Sequence, residues 1–129
     1  MISPTLRKLR YQPGVRAYVG GAPAAFEAEM AGAPEIERLE RPGEGLDVVQ
    51  AFFTRRSQLR RELPRLRDAL AERGVLWICY PSSRALGTDL NRQVSRTVAT
   101  RAGLRTIGAV QIDAVWTALR CERASPAHG

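Results

Sequence analysis

The most apolar run in the chain is Val75-Leu76-Trp77-Ile78-Cys79-Tyr80, preceded by Gly74 and closed by Pro81-Ser82-Ser83. Consecutive non-polar and aromatic residues between Gly and Pro have the pattern of a strand buried on both faces, with helices on either side. This run reads as the central strand of a parallel sheet, and the polar loop after it as a place for a ligand. Upstream, Leu6, Leu9 and Tyr11 form a short helical turn or extended lead-in stopped by Pro13-Gly14. Residues 15–19 alternate and run into Gly20-Gly21, a first strand ending in a tight turn. Pro23 suits the first turn of a helix over residues 24–30, because its missing N–H would be unpaired there in any case. Residues 35–40 alternate charged and apolar, as an edge strand does, and a loop follows at 41–45.

Residues 46–53 are again mostly apolar and read as an internal strand. Thr54 is placed to cap a helix over residues 55–73, in which Leu59, Leu63, Leu66 and Leu70 recur every three or four positions. Pro64 either kinks that helix or starts a second turn. After the loop at 82–87, Thr88 caps a further helix with Asp89 in its first turn, and Leu90, Val94, Val98 and Ala102 form its buried stripe up to Gly103. Residues 104–112 and 115–121 are strands. The Asp113-Ala114 link between them is so short that only an antiparallel hairpin fits. The order β-α-β-β-α-β-α-β-β predicts an α/β, Rossmann-like three-layer sandwich with a mainly parallel sheet of six strands. It is the pattern of the class I methyltransferase-like Rossmann variant, shortened by a helix or two. By that analogy the sheet order is 2-1-3-4-6-5, with strand 6 antiparallel.

Length and composition narrow the function. The chain has 129 residues, which suits one domain, expected over residues 1–123 with a flexible tail at 124–129. The longest apolar run falls far short of the roughly 20 residues that span a bilayer, and no apolar segment follows the basic N-terminus. A cytoplasmic protein with no membrane partner is expected. Cys79 and Cys121 lie inside strand-like runs without metal-ligand spacing and read as buried thiols. The single histidine, His128, falls in the tail, so the sequence offers no His-based triad and no His-ligated metal site. No metal is expected.

Twenty basic residues against 13 acidic ones give a formal net charge of +7. Lys8 is the only lysine, and the abundance of Arg, Ala, Gly and Pro has the look of a GC-rich coding bias. The predicted helix at 55–73 concentrates the charge. Arg56 and Arg60 are i, i+4 neighbours, as are Arg61 and Arg65, and a phosphate backbone would supply the missing anions. A solvated helix face accounts for the same residues, and no helix-turn-helix, RRM or OB pattern supports sequence-specific readout.

In open α/β sheets ligands lie beyond the carboxyl ends of the strands, at the switch point of strand order. That places Gly20 and Gly21 after strand 1 and Phe53 after strand 3 at the site, with Tyr80, Ser82, Ser83, Arg84 and Asp89 as the neighbouring wall. A glycine pair before a helix can admit a phosphate or carboxylate close to the backbone. However, Gly20-Gly21-Ala22-Pro23 is neither GxGxxG nor a P-loop, and Pro23 removes a donor. Glu40 stands where dinucleotide folds carry a ribose-binding acid. A methyltransferase would also want an acid and Gly-x-Gly at the end of strand 1, which Tyr18-Val19-Gly20-Gly21 does not supply. Tight-turn packing explains the same glycines, and helix capping explains Thr88 and Asp89.

Three stretches together resemble a family of small bacterial proteins classed as a domain of unknown function. They are Leu76-Trp77-Ile78-Cys79-Tyr80-Pro81, Thr88-Asp89-Leu90-Asn91-Arg92, and Asp113 followed by Trp116-Thr117-Ala118-Leu119-Arg120. The resemblance implies a Rossmann-like fold over nearly the whole chain and carries no activity. Members of that family carry Lys directly after the Tyr-Pro pair, where this chain has Ser82 and its nearest cation is Arg84. The leading expectation is therefore a non-catalytic module that binds a small molecule or a protein partner, with no cofactor. The alternatives are a non-specific nucleic-acid binder and a divergent S-adenosylmethionine-dependent methyltransferase.

Overall fold

A computed structural model describes residues 1–124. Of the expected tail at 124–129, residues 125–129, with His128, lie outside them. The chain runs α1 (Pro4–Lys8), β1 (Arg16–Gly20), α2 (Ala24–Ala31), β2 (Glu37–Leu39), β3 (Leu46–Phe52), α3 (Arg56–Asp68), β4 (Leu70–Pro81), a short 3-10 turn (Arg84–Leu86), α4 (Arg92–Arg101), β5 (Leu104–Gln111) and β6 (Trp116–Arg123). The sheet order is β2-β1-β3-β4-β6-β5, as the sequence pattern predicts. Pairs among β2, β1, β3 and β4 are parallel. Strand β6 enters antiparallel between β4 and β5.

Both faces of the sheet are buried, which explains the unbroken apolar run of β4. Leu76, Ile78 and Tyr80 point into a core shared with Leu59, Leu63 and Leu66 of α3 and Val98 and Ala99 of α4. Val75, Trp77 and Cys79 point into the opposite core, closed by Leu6 of α1 and by Phe26 and Met30 of α2. The Trp77 indole, 1% exposed, donates to the Leu9 carbonyl at 2.8 Å and fastens α1 across the sheet. Phe52 bridges Phe26 and Trp116, with ring centroids 5.2 and 5.1 Å away. Each such side chain fully buried contributes on the order of 2 kcal/mol.

Two helix boundaries differ from expectation. Helix α3 ends at Asp68, and Leu70 already pairs with Leu46 of β3, whose N–H takes the Ala69 carbonyl. The register then jumps to Val48 opposite Val75, so residues 71–74 bulge out of the ladder. Leu70 stays in the same core as the α3 leucines, which is why its spacing extends the helical stripe. Helix α4 begins at Arg92, four residues after the expected cap. Asn91 is its N-cap, accepting from the Val94 N–H at 2.8 Å. Thr88 lies too early to cap it: its oxygen accepts from the Leu90 N–H at 3.0 Å, ahead of the helix, and its hydroxyl donates to the Thr54 carbonyl at 2.6 Å. Nor does the Thr54 side chain cap α3. Asp89 takes that role from a distance in sequence, accepting from the Arg56 N–H at 2.7 Å. Pro23 sits at the N-cap of α2, just outside the helix.

Candidate functional site

The carboxyl end of β4 opens into a cleft of about 730 Å³. Three stretches build it. Tyr80, Ser82, Ser83 and Arg84 come from the end of β4, and Thr88, Asp89, Asn91 and Arg92 from the approach to α4. Gln111 and Thr117 come from the β5–β6 hairpin. The hairpin is held by Asp113, whose carboxylate accepts from the Val115 and Trp116 N–H groups at 2.8 and 2.9 Å.

The polar wall on the hairpin side is bonded to itself. The Gln111 amide donates to the Ser82 hydroxyl at 2.8 Å, and the Thr117 hydroxyl donates to the Gln111 amide oxygen at 3.0 Å. The Ser82 and Thr117 oxygens lie 2.6 Å apart. Because the Thr117 proton goes to Gln111, the Ser82 proton goes to Thr117, which closes a ring with one direction of donation. On the other wall Thr88 and Asp89 tie the loop to the end of β3 and to α3. Arg84 and Arg92 are exposed, and neither is ion-paired among the described residues. Asp89, the one carboxylate on the lining, already serves the α3 N-terminus. Two open guanidiniums facing one engaged carboxylate make a cleft that attracts anions. Burial pushes the Tyr80 phenol above its ordinary pKa, and the neighbouring Arg92 opposes that shift.

The structure divides the residues that sequence reasoning grouped. Tyr80, Ser82, Ser83, Arg84 and Asp89 meet in the cleft, whereas Gly20, Gly21 and Phe53 do not line it. Phe53 is a core residue, 4% exposed, and its N–H donates to the Cys79 carbonyl. Arg92 and Gln111 belong to the cleft but escaped the sequence reading. Arg92 directly follows a helix cap, and Gln111 is the polar end of an alternating strand, so each carried only a weak local signal. Arg56, Arg60, Arg61 and Arg65 all lie exposed on α3, and Arg65 pairs with Glu62 at 2.8 Å. Cys79 and Cys121 are free and buried, with the Cys121 thiol pushed up to about 12 by burial.

The end of β1 is where the expected S-adenosylmethionine alternative would seat its adenosyl group. A Cβ on Gly20 would stand 2.8 Å from the Tyr18 phenol oxygen, because that ring folds over the glycine and fills the space above it. Gly21 has φ +66°, and a Cβ there would meet the Phe52 carbonyl oxygen at 3.0 Å. Both glycines thus answer to this chain's own packing. The end of β1, Tyr18-Val19-Gly20, carries no acid, and Pro23 at the α2 N-cap offers no N–H. Glu40 does follow β2, beside β1, and is exposed. As they stand, the residues around Gly20 do not fit the group. Among the described residues no cluster of three His, Cys, Asp or Glu side chains could hold a metal, and no helix is long and apolar enough to cross a membrane.

No family model matches the chain, and no curated protein matches it in sequence. The resemblance to a small bacterial family therefore gains no support there, while its fold expectation does find solved structures. A TehB-like SAM-dependent methyltransferase from Corynebacterium glutamicum is 12% identical, with 92% of this chain and 85% of that one covered and a TM-score of 0.58. Mitomycin 7-O-methyltransferase MmcR is 14% identical over 93% of this chain with a TM-score of 0.70. This chain spans only 52% of its length. Magnesium protoporphyrin IX methyltransferase from Synechocystis PCC 6803, with bound SAH, is 10% identical, with 87% and 75% of the two chains covered and a TM-score of 0.58. At these identities the likeness establishes a methyltransferase-like fold. Of the functions expected from sequence, it lends support to the methyltransferase alternative, at fold level, and none to a non-catalytic role.

Proposed function

We propose that this protein binds a small oxyanion-bearing ligand in the cleft at the carboxyl end of β4, with Arg84 and Arg92 as its charge partners. The observation that carries this reading is the state of the lining. The side chains of Ser82, Gln111 and Thr117 bond to one another, those of Thr88, Asp89 and Asn91 bond to backbone groups, and the two guanidiniums are open. The same bonding favours binding over turnover, because nucleophilic catalysis needs a hydroxyl whose proton passes to a base. The Ser82 and Thr117 protons are committed within the ring, and Asp89 holds α3.

Thermal unfolding with inorganic phosphate in place of chloride, at matched ionic strength, tests the proposal. Phosphate at tenfold its dissociation constant stabilises by about 1.4 kcal/mol, which is several degrees for a domain of this size. Arg92→Ala and Arg84→Ala are expected to remove that shift. Since phosphate also stabilises proteins by exclusion from their surfaces, a shift that survives in both variants refutes the site.

The fold neighbours favour a second reading, in which S-adenosylmethionine binds beside β1 and β2 with Glu40 on its ribose. That reading requires Tyr18 to leave Gly20. It predicts stabilisation by S-adenosylhomocysteine that is lost in Glu40→Ala, and no stabilisation of either protein counts against it.

A further inference from the structure

The arginines of this chain are not spread evenly over its surface. Helices α3 and α4 together carry eight arginines and two acids, a net +6 out of the whole chain's +7. Helices α1 and α2, on the opposite face of the sheet, carry two cations and two acids and are neutral. A coding bias toward arginine would load both helical layers alike. The asymmetry therefore belongs to one face.

That face is continuous. Helices α3 and α4 pack side by side, bridged by the Arg67 guanidinium, which donates to the Ala102 carbonyl at 2.7 Å. Both turn their apolar stripes to the same core, so their polar sides look outward together. Arg56, Arg60, Arg61, Arg92, Arg96 and Arg101 are exposed there without an ion pair among the described residues. From Arg56 to Arg65 the helix rises roughly 13 Å, at about 1.5 Å per residue. That length spans about four phosphates of one strand of a duplex, which rise about 3.4 Å each along its axis.

Composition decides the kind of partner. A protein interface needs apolar or aromatic anchors at its centre. The exposed large apolar residues are Met1, Leu86, Ile107 and Val115, and none of them lies on α3 or α4. Single-stranded nucleic acid is held by aromatic stacking, and neither helix contains an aromatic residue. Arginine alone, on a face of two helices, suits phosphates read for their charge and spacing. We propose that the α3–α4 face docks on the phosphate backbone of duplex DNA without reading its sequence. Arg92, at the edge of this surface, also lines the cleft, and the remaining arginines lie outside it.

Fluorescence anisotropy of a labelled 30-base-pair duplex, titrated with the full chain between 50 and 200 mM salt, tests this. Neutralising about five phosphates gives a slope near −4.5 in log affinity against log salt. Arg60→Glu with Arg61→Glu and Arg96→Glu is expected to lower affinity at least tenfold at 50 mM salt and to flatten the slope. Arg7→Glu with Lys8→Glu on α1 should leave both unchanged, and circular dichroism melts verify that each variant is folded. Binding that is absent at 50 mM salt, insensitive to salt, or equally weakened by the α1 changes overturns the proposal. So does tighter binding of duplex RNA or of a single strand. Displacement of the duplex by polyglutamate at equal charge would mark the face as a dock for acidic proteins, and this too overturns it.

Discussion

Gln50 and Ser95 are fully buried polar side chains, and Gln50 shows how the sheet tolerates one. Its amide oxygen accepts from the Tyr11 hydroxyl at 2.8 Å, and its amide nitrogen donates to the Cys79 sulfur at 3.4 Å. Burial pushes the Tyr11 phenol and the Cys79 thiol far above their ordinary pKa values, so both stay protonated and neutral. The chain Tyr11–Gln50–Cys79 therefore ties the lead-in after α1 to the middle of the sheet. Tyr11→Phe leaves the Gln50 oxygen buried without a donor, at a cost of about 1–3 kcal/mol in urea unfolding. Adding Gln50→Leu removes the orphaned amide, and the double variant is expected to recover most of that loss. A double variant less stable than Tyr11→Phe alone would show that the amide itself is needed.

At the scale of elements, Gly74 has the least room for a side chain among the described glycines. A Cβ there would lie 2.6 Å from the Leu46 carbonyl oxygen, where the bulge of β4 crosses the start of β3, whereas one on Gly108 in β5 meets nothing within 4 Å. Gly74→Ala is expected to destabilise by roughly 2 kcal/mol or more, since backbone rather than a mobile side chain must move. Gly108→Ala should leave the denaturation midpoint almost unchanged, and equal losses in the two variants would contradict this account. The strand order was legible because each strand carries its burial in its pattern: β4 apolar from Val75 to Tyr80, β5 alternating, β6 returning after a short hairpin link. The end of α3 was not legible. Leu70 continues the spacing of Leu59, Leu63 and Leu66 and enters the same core, so periodicity cannot tell its strand pairing from another helical turn. The start of α4 was hidden because Thr88, a residue of capping type, bonds across space to Thr54. For the site, the polar loop at Ser82–Arg84 could be read locally. Arg92 and Gln111 join it only through tertiary approach, and the closure of the glycine turn depends on where the Tyr18 ring lies.

Over the whole molecule, a methyltransferase-like sheet carries its open polar cleft beside β4 and β6, while the turn after β1 is packed by Tyr18. The separation has a physical reason. The β5–β6 hairpin and the loop before α4, which form the cleft walls, are each pinned by a carboxylate, Asp113 and Asp89. At the end of β1 the Arg38 guanidinium ties the Val19 carbonyl to Glu27 of α2, and a phenol ring rests directly on Gly20. The proposed function thus moves the ligand from one end of the strand series to its middle. Amide chemical-shift mapping of the full chain, titrated in parallel with inorganic phosphate and with S-adenosylhomocysteine, addresses that claim most directly. The account predicts saturating shifts at Ser83, Arg84, Asn91 and Arg92 with phosphate, and none at Gly20, Gly21 or Glu40 with S-adenosylhomocysteine. Saturating shifts at Gly20, Gly21 and Glu40 with S-adenosylhomocysteine, and a cleft that does not respond to phosphate, would contradict it.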